Sequence, residues 1–385
     1  MERMNINLAK AERLQPYSCV EIISKGEGCC VSEFSPCGEY LVIGCNNGNI
    51  LIYSFLSHSI VWRYKPSKPG RVLKAKWVHK EIFILTDANN FYILQIQGSE
   101  DSHTTFHFKA TGMDIKNDYI LVYGRCDIVL HNIKTNESVS LKQDQIAVEW
   151  FGCFNSDFIV LFASMNYIFY VLNYQCEVLY KQDVSEFFQA EVRELACNGN
   201  NLFLLSARDR ALRVFELKKP YEFVRNKEIF DCIEKRRWVA SCFFTVPNME
   251  TWFVLACPQE TGSHSLQMFD TVEIESNVSL AKNMHSPLGA AAHICGSRNT
   301  HVYPIVSVIT QAGACIIWCS GNFLKSQKWS TSLGIPNFVE LQRGNTEYDE
   351  PEDQFDKDMS LAIELNFPSQ NSDSICFRLD YSLSD

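Results

Sequence analysis

The sequence predicts an all-β fold, a seven-bladed β-propeller followed by an acidic, largely extended C-terminal arm. Three observations predict it. Short runs rich in Val, Ile, Phe, Tyr and Cys recur through residues 29–324, with Gly, Asn, Asp and Pro between them. The runs group in fours at roughly forty residues per group, a period typical of propeller blades. No sustained helical period interrupts them.

The first group is the clearest. Runs at 31–35, 40–44, 49–54 and 60–64 are separated by Pro36-Cys37-Gly38 and Asn46-Asn47-Gly48, both turn sequences. A second group spans 71–108, a third 111–141 and a fourth 146–182, whose run at 158–163 is unbroken apolar. The fifth starts at Glu191 and holds Leu202 to Leu205 and the stretch Arg208-Asp209-Arg210-Ala211-Leu212-Arg213-Val214-Phe215. The sixth runs from Trp238 through Trp252 to Phe269, and the seventh from Gly289 to Trp318. Asp209 stands where WD-type repeats place a turn aspartate, and Trp318 where their third strand ends, although most groups lack both the GH and the WD dipeptides. An open ring would expose unpaired backbone, so a terminal strand is expected to complete the last blade, from residues 5–8 or 20–23.

The expected organisation is an N-terminal segment to residue 28 that closes the ring, the propeller at 29–324, an arm at 325–358 and a tail at 359–385. The arm is acidic: from Lys325 to Asp385 there are twelve acidic and five basic residues, which accounts for most of the chain's net charge of −10. Acidic runs are ordinarily solvated. Here Trp329, Phe338, Tyr348 and Phe355 interrupt the run, and an aromatic anchor flanked by carboxylates suits a groove lined with Arg or Lys.

Composition excludes several classes of function. A chain that is 46% hydrophobic and 21% charged buries a real core, and a near-neutral body does not coat itself in nucleic acid. Sixteen scattered cysteines without a CxxC pair read as reduced thiols. The first sixteen residues carry charges and no signal-peptide core, and no run approaches a membrane span, which points to cytosol or nucleus and to no membrane partner. Phosphate-loop and dinucleotide fingerprints are missing, so no cofactor is expected. No catalytic residues and no metal ligands are assigned: His103 and His107 could share a strand face, but two lone histidines make a poor metal site. Basic clusters occur at Lys65, Lys68, Arg71, Lys74 and Lys76, at Lys218, Lys219, Arg225 and Lys227, and at Lys235, Arg236 and Arg237. Gathered on one rim, they would meet phosphates without reading bases.

The first blade, Val42-Ile43-Gly44-Cys45-Asn46-Asn47-Gly48-Asn49-Ile50-Leu51-Ile52-Tyr53, resembles one known family. So does the arm, through Phe338-Val339-Glu340-Leu341 and the stretch from Asn345 to Asp356. The family is that of retinoblastoma-binding protein five, the WD-repeat subunits of COMPASS-type (SET/MLL) histone methyltransferase complexes. The resemblance implies a non-catalytic, nuclear scaffold and allosteric activator that raises methylation of lysine four on the histone H-three tail. By the same resemblance, Trp329, Phe338, Glu340 and Leu341 would lie along the catalytic SET domain. Glu347, Tyr348, Asp349, Glu350, Glu352, Asp353, Phe355 and Asp356 would dock on the SPRY domain of an Ash-two-like subunit. Lys218, Lys219, Arg225 and Lys227 become candidates for nucleosome contact, and a second WD-repeat propeller subunit becomes a candidate partner. The chain departs from the family at Pro351, which removes a backbone donor from the acidic box. Neither residues 361–367 nor 375–379 match the family's motif for the second propeller, and its long low-complexity tail has no counterpart. The rival reading is a WD-repeat adaptor of another complex, either a ubiquitin-ligase substrate receptor or an RNA-processing scaffold.

Overall fold

The structure, a computed structural model, describes residues 17–24, 27–66, 68–95, 102–105, 107–141, 149–230, 237–245, 252–271, 284–297 and 305–320. They form seven antiparallel four-stranded sheets, each made of strands that follow one another in sequence except the last. Strand β1 (Tyr17–Ser24) stands apart from the first blade, which holds β2 (Cys29–Phe34), β3 (Tyr40–Cys45), β4 (Ile50–Ser54) and β5 (Ser59–Tyr64). The second has β6 (Val72–Val78), β7 (Glu81–Thr86), β8 (Asn90–Gln95) and β9 (Ser102–Thr105), and the third β10 (Ala110–Lys116), β11 (Tyr119–Gly124), β12 (Ile128–Asn132) and β13 (Glu137–Leu141). In the fourth are β14 (Trp150–Phe154), β15 (Ile159–Ala163), β16 (Ile168–Leu172) and β17 (Val178–Asp183). The fifth comprises β18 (Val192–Cys197), β19 (Leu202–Ala207), β20 (Ala211–Lys218) and β21 (Glu222–Phe230). The sixth contains β22 (Trp238–Thr245), β23 (Trp252–Pro258), β24 (His264–Asp270) and β25 (Met284–Ser286). The seventh joins β26 (Ala291–Gly296), β27 (Ile305–Thr310) and β28 (Cys315–Ser320) to β1. The protein is a seven-bladed β-propeller.

Ring closure is therefore made by the first strand. Tyr17 pairs with Ser320 and Ile22 with Ile316, so the edge of the seventh blade is covered by residues that include Val20 to Ile23. The seam to the first blade is held by a buried hydrogen bond between the Ser32 and Ser307 hydroxyls at 2.7 Å and by His293 Nε2, 3.1 Å from the Ser32 carbonyl.

Burial explains why the middle strands read as unbroken apolar runs. Sheets that radiate from an axis are covered on both faces, so β15 is buried at all five positions. The outer strand β5, by contrast, alternates exposed and half-buried residues. The layer between the fourth and fifth blades is aromatic: Phe169 stacks on Phe223 at 4.0 Å and meets Phe215 edge-on at 5.4 Å. Each fully buried ring stabilises the fold by about 1.5–3 kcal/mol. Gln182 adds a polar clip between the same blades, its amide donating to the Phe223 carbonyl at 2.9 Å and accepting from the Phe223 amide at 2.8 Å.

One local expectation changes: strand β9 ends at Thr105, so His107 does not share a strand with His103. Asp209 lies, as expected of a turn aspartate, in the turn Arg208 to Arg210 just before β20 begins at Ala211. Asp209 in that turn and Arg213 two alternations along β20 form a buried ion pair at 2.7 Å, which Glu228 on β21 joins at 2.9 Å. Among the described residues no helix is long and apolar enough to cross a membrane.

Candidate functional site at the channel mouth

The innermost strands β2, β6, β10, β14, β18, β22 and β26 surround the axis. In six of the seven blades this strand carries a register shift near its start: Cys29/Val31, Val72/Lys74, Ala110/Gly112, Val192/Glu194, Trp238/Ala240 and Ala291/His293. A bulge inserts one extra residue and re-aims its side chain. Those residues are Cys30, Leu73, Thr111, Arg193, Val239 and Ala292. Because the bulges recur at the strand start, they lie together at the face where each blade receives the chain from the one before, here called the upper face.

A cavity of about 290 Å³ opens there, lined by Lys74, Thr111, Tyr123, Glu149, Phe151, Arg193, Glu194, Leu195, Ser206 and Val239, drawn from blades two to six. Lys74 lies 3.5 Å from Glu194. These residues belong to blades two and five, which are not neighbours, so the pair bridges the channel. Below it, Lys76 sits between Asp114 at 3.6 Å and Glu33 at 3.9 Å, and Asp114 also accepts the Phe154 amide at 2.8 Å. Burial, reinforced by the positive charge of Lys74, lowers the His293 pKa, and burial followed by the Asp114 charge raises that of Tyr123. Burial likewise pushes the Cys30 thiol up to about 11 and the Cys153 and Cys257 thiols well above their ordinary range.

Lys74 and Lys76 are thus neutralised by Glu194, Asp114 and Glu33, and the channel histidine His293 is tied to a backbone carbonyl. Among the described residues, no three His, Cys, Asp or Glu side chains come together as metal ligands.

The predicted basic loops separate. Within an antiparallel blade, the first and third connections lie on one face and the second connection and the crossover to the next blade on the other. Lys68 and Arg71, before β6, and Arg237, before β22, are thus on the upper face. Lys218, which ends β20, and Lys219, in the turn that follows, are on the lower one. Lys218 and Lys219 are exposed. Arg225 pairs with Glu228 at 3.2 Å and stacks over the Phe187 ring at 4.5 Å. Lys227 is buried, donating to the Asp270 carbonyl at 2.6 Å, which ties the fifth blade to the sixth rather than presenting a charge to solvent. The arm candidates Trp329, Phe338, Glu340 and Leu341, and Glu347, Tyr348, Asp349, Glu350, Glu352, Asp353, Phe355 and Asp356, lie outside the described residues.

Sequence reasoning missed Arg193, Glu149 and Glu194 as channel residues. The signal was faint: a charged residue at the start of an innermost strand, where alternation alone gives no hint of a bulge.

No family model matches the chain. Over 375 residues it is 25% identical to the Retinoblastoma-binding protein 5 homolog of Drosophila melanogaster, a match covering 89% of this chain and 70% of that protein. Such coverage cannot fit within the first 320 of 385 residues, so the likeness runs past β28 into the residues that follow it. Among solved structures, the Cps50 (Swd1) β-propeller domain of Myceliophteria thermophila superposes with a TM-score of 0.66 at 12% identity, covering 79% of this chain and 99% of that one. The Pan2 WD40 domain of Neurospora crassa superposes with a TM-score of 0.59 at 14% identity, covering 80% and 97%. The fold of this chain is that of the WD-repeat propellers.

Proposed function

We propose that the protein is a non-catalytic scaffold and activator subunit of a histone H-three lysine-four methyltransferase complex in the nucleus. Residues 325–358 contact a SET domain and an Ash-two-like SPRY subunit. The observation that carries this reading is the reach of the similarity to the Retinoblastoma-binding protein 5 homolog, which does not stop at the ring. A ring alone would be shared with any propeller, whereas the order of ring and acidic arm is particular. An activator needs no catalytic group of its own, because holding a SET domain in its active conformer takes only a higher affinity for that conformer than for the inactive one. Lys218 and Lys219, exposed on the lower face, are the nucleosome-facing part of the proposal.

The test is methylation of a histone H-three peptide by a SET domain with the Ash-two-like subunit, comparing the full chain with one ending at Leu324. The full chain stimulates and the shortened one does not. Stimulation by neither would overturn the proposal and favour the adaptor reading.

A further inference from the structure

The channel mouth holds charges that the fold leaves unspent. Lys74 is paired with Glu194, and Arg208, in the β19–β20 turn, with Glu191 at 3.2 Å. In the lining, Arg193 and Glu149, and near them Arg237, make no side-chain hydrogen bond or ion pair among the described residues. Arg193 is the bulged residue of β18, so its side chain leaves the strand alternation and enters the cavity lining. Desolvation holds the Arg193 guanidinium below its ordinary pKa, and the charges of Arg208 from the same blade and Arg237 from the next lower it further, with Glu191 opposing them. Gathering like charges at a partly enclosed mouth costs free energy that a bound anion offsets.

Size and surroundings define the anion. About 290 Å³ is at the small end of ligand pockets, enough for an amino-acid-sized group and too small for a nucleotide cofactor. Phe151, Leu195 and Val239 give the cavity an apolar wall that suits the methylenes of a side chain. Glu149, Glu194 and Glu191 stand around the same mouth and would repel a polyphosphate backbone, while a single carboxylate can meet a guanidinium fork and leave its neighbours apart. We infer that the channel mouth is a docking site for an acidic protein segment, one carboxylate side chain of which enters the cavity to bind Arg193 with Arg237 at its rim. Glu149 then faces the peptide backbone, accepting an amide N–H. Every residue named for this site belongs to the propeller, so it stands independently of the methyltransferase reading.

The test is fluorescence anisotropy of the full chain with a capped, dye-labelled hexapeptide carrying one glutamate among glycines and serines. Binding is saturable and weakens with salt, Arg193→Gln reduces affinity roughly tenfold or more, and Arg193→Lys recovers part of it. Lys134→Ala, on the lower face, leaves it unchanged. Arg193 is exposed and unpartnered among the described residues, so Arg193→Gln melts as the parent does, which separates lost binding from lost folding. The inference is overturned by no binding at about 1 mM peptide, by affinity indifferent to Arg193→Gln, by hexalysine binding that Glu149→Gln abolishes, or by equal competition from a deoxythymidine hexamer.

Discussion

Gly313 packs directly on Gly28 at the seam between the last and first blades. The Cys29 amide donates to the Gly313 carbonyl at 2.9 Å, and a Cβ on Gly313 would stand 2.6 Å from the Gly28 Cα. Both glycines have positive φ, +81° and +69°, which favours glycine at each, and Gly313 is required a second time for closeness. Gly313→Ala should destabilise the ring by about 1–3 kcal/mol in urea unfolding. Gly262→Ala, with φ of +75° and nothing within 4 Å, should cost only the conformational part. Equal effects from the two would mean that the seam contact carries no weight.

Arg213 is the most exposed to failure of the buried charges. Its side chain and that of Asp209 are 4% and 6% exposed, with Glu228 as second partner and the Phe188 ring 4.7 Å below the guanidinium. Arg213→Ala strands Asp209 without its cation and should cost about 3–5 kcal/mol. Arg213→Met with Asp209→Ala should regain most of that loss, because the uncompensated charge goes too. A double variant as unstable as the single one would contradict this account.

His293 sets an acid limit. Its pKa is lowered in the folded ring, chiefly by burial, so the unfolded chain binds the proton more readily. Stability contributed by keeping it neutral is complete above the ordinary histidine pKa and is lost as pH falls below about 6.5, at up to roughly 1.4 kcal/mol per pH unit. His131, lowered by desolvation, acts in the same direction. Urea midpoints between pH 7.5 and 5.5 should fall less steeply in His293→Gln, and an unchanged slope would place the acid sensitivity elsewhere.

Lys218, Lys219 and Lys227 belong to one sequence cluster but should behave differently. Reversing charge at exposed Lys218 and Lys219 should weaken nucleosome binding without moving the melting temperature. Lys227→Ala, which leaves the Asp270 carbonyl without its buried donor, should lower stability by about 1–3 kcal/mol. Nucleosome affinity that follows Lys227 rather than the turn lysines would refute the assignment of the lower face.

Within the arm, Tyr348→Ala or Phe355→Ala should weaken binding of the Ash-two-like subunit by about 1–3 kcal/mol while the propeller melts unchanged. Titration calorimetry of both variants checks this, and wild-type affinity in each would remove the aromatic anchors.

The ring was legible because blade strands announce themselves: residues 40–44 and 49–54 flank Asn46-Asn47-Gly48, and Gly48 takes the positive φ of +84° that such a turn asks for. The fourth strands were harder. Strand β9 is Ser-His-Thr-Thr and β13 is largely polar, because outer strands bury little and carry weak patterning. The channel site was illegible for another reason. Lys74 and Glu194 are brought together across the axis by closure of the ring, and Arg193 is aimed by a bulge, neither of which leaves a local trace in sequence. Lys227 misled because a lysine in a basic run reads as solvated until the neighbouring blade supplies its acceptor.

Closure by β1 also fixes an order of events. On the ribosome this strand is made before any blade, yet its hydrogen-bond partner β28 is made after all of them. Tyr17 must therefore wait for Ser320, and until then six blades stand with a bare edge at one end and an unclaimed strand at the other. Contacts so distant along the chain form slowly. Closure of the ring is therefore an event of the finished chain, complete only once β28 has left the ribosome.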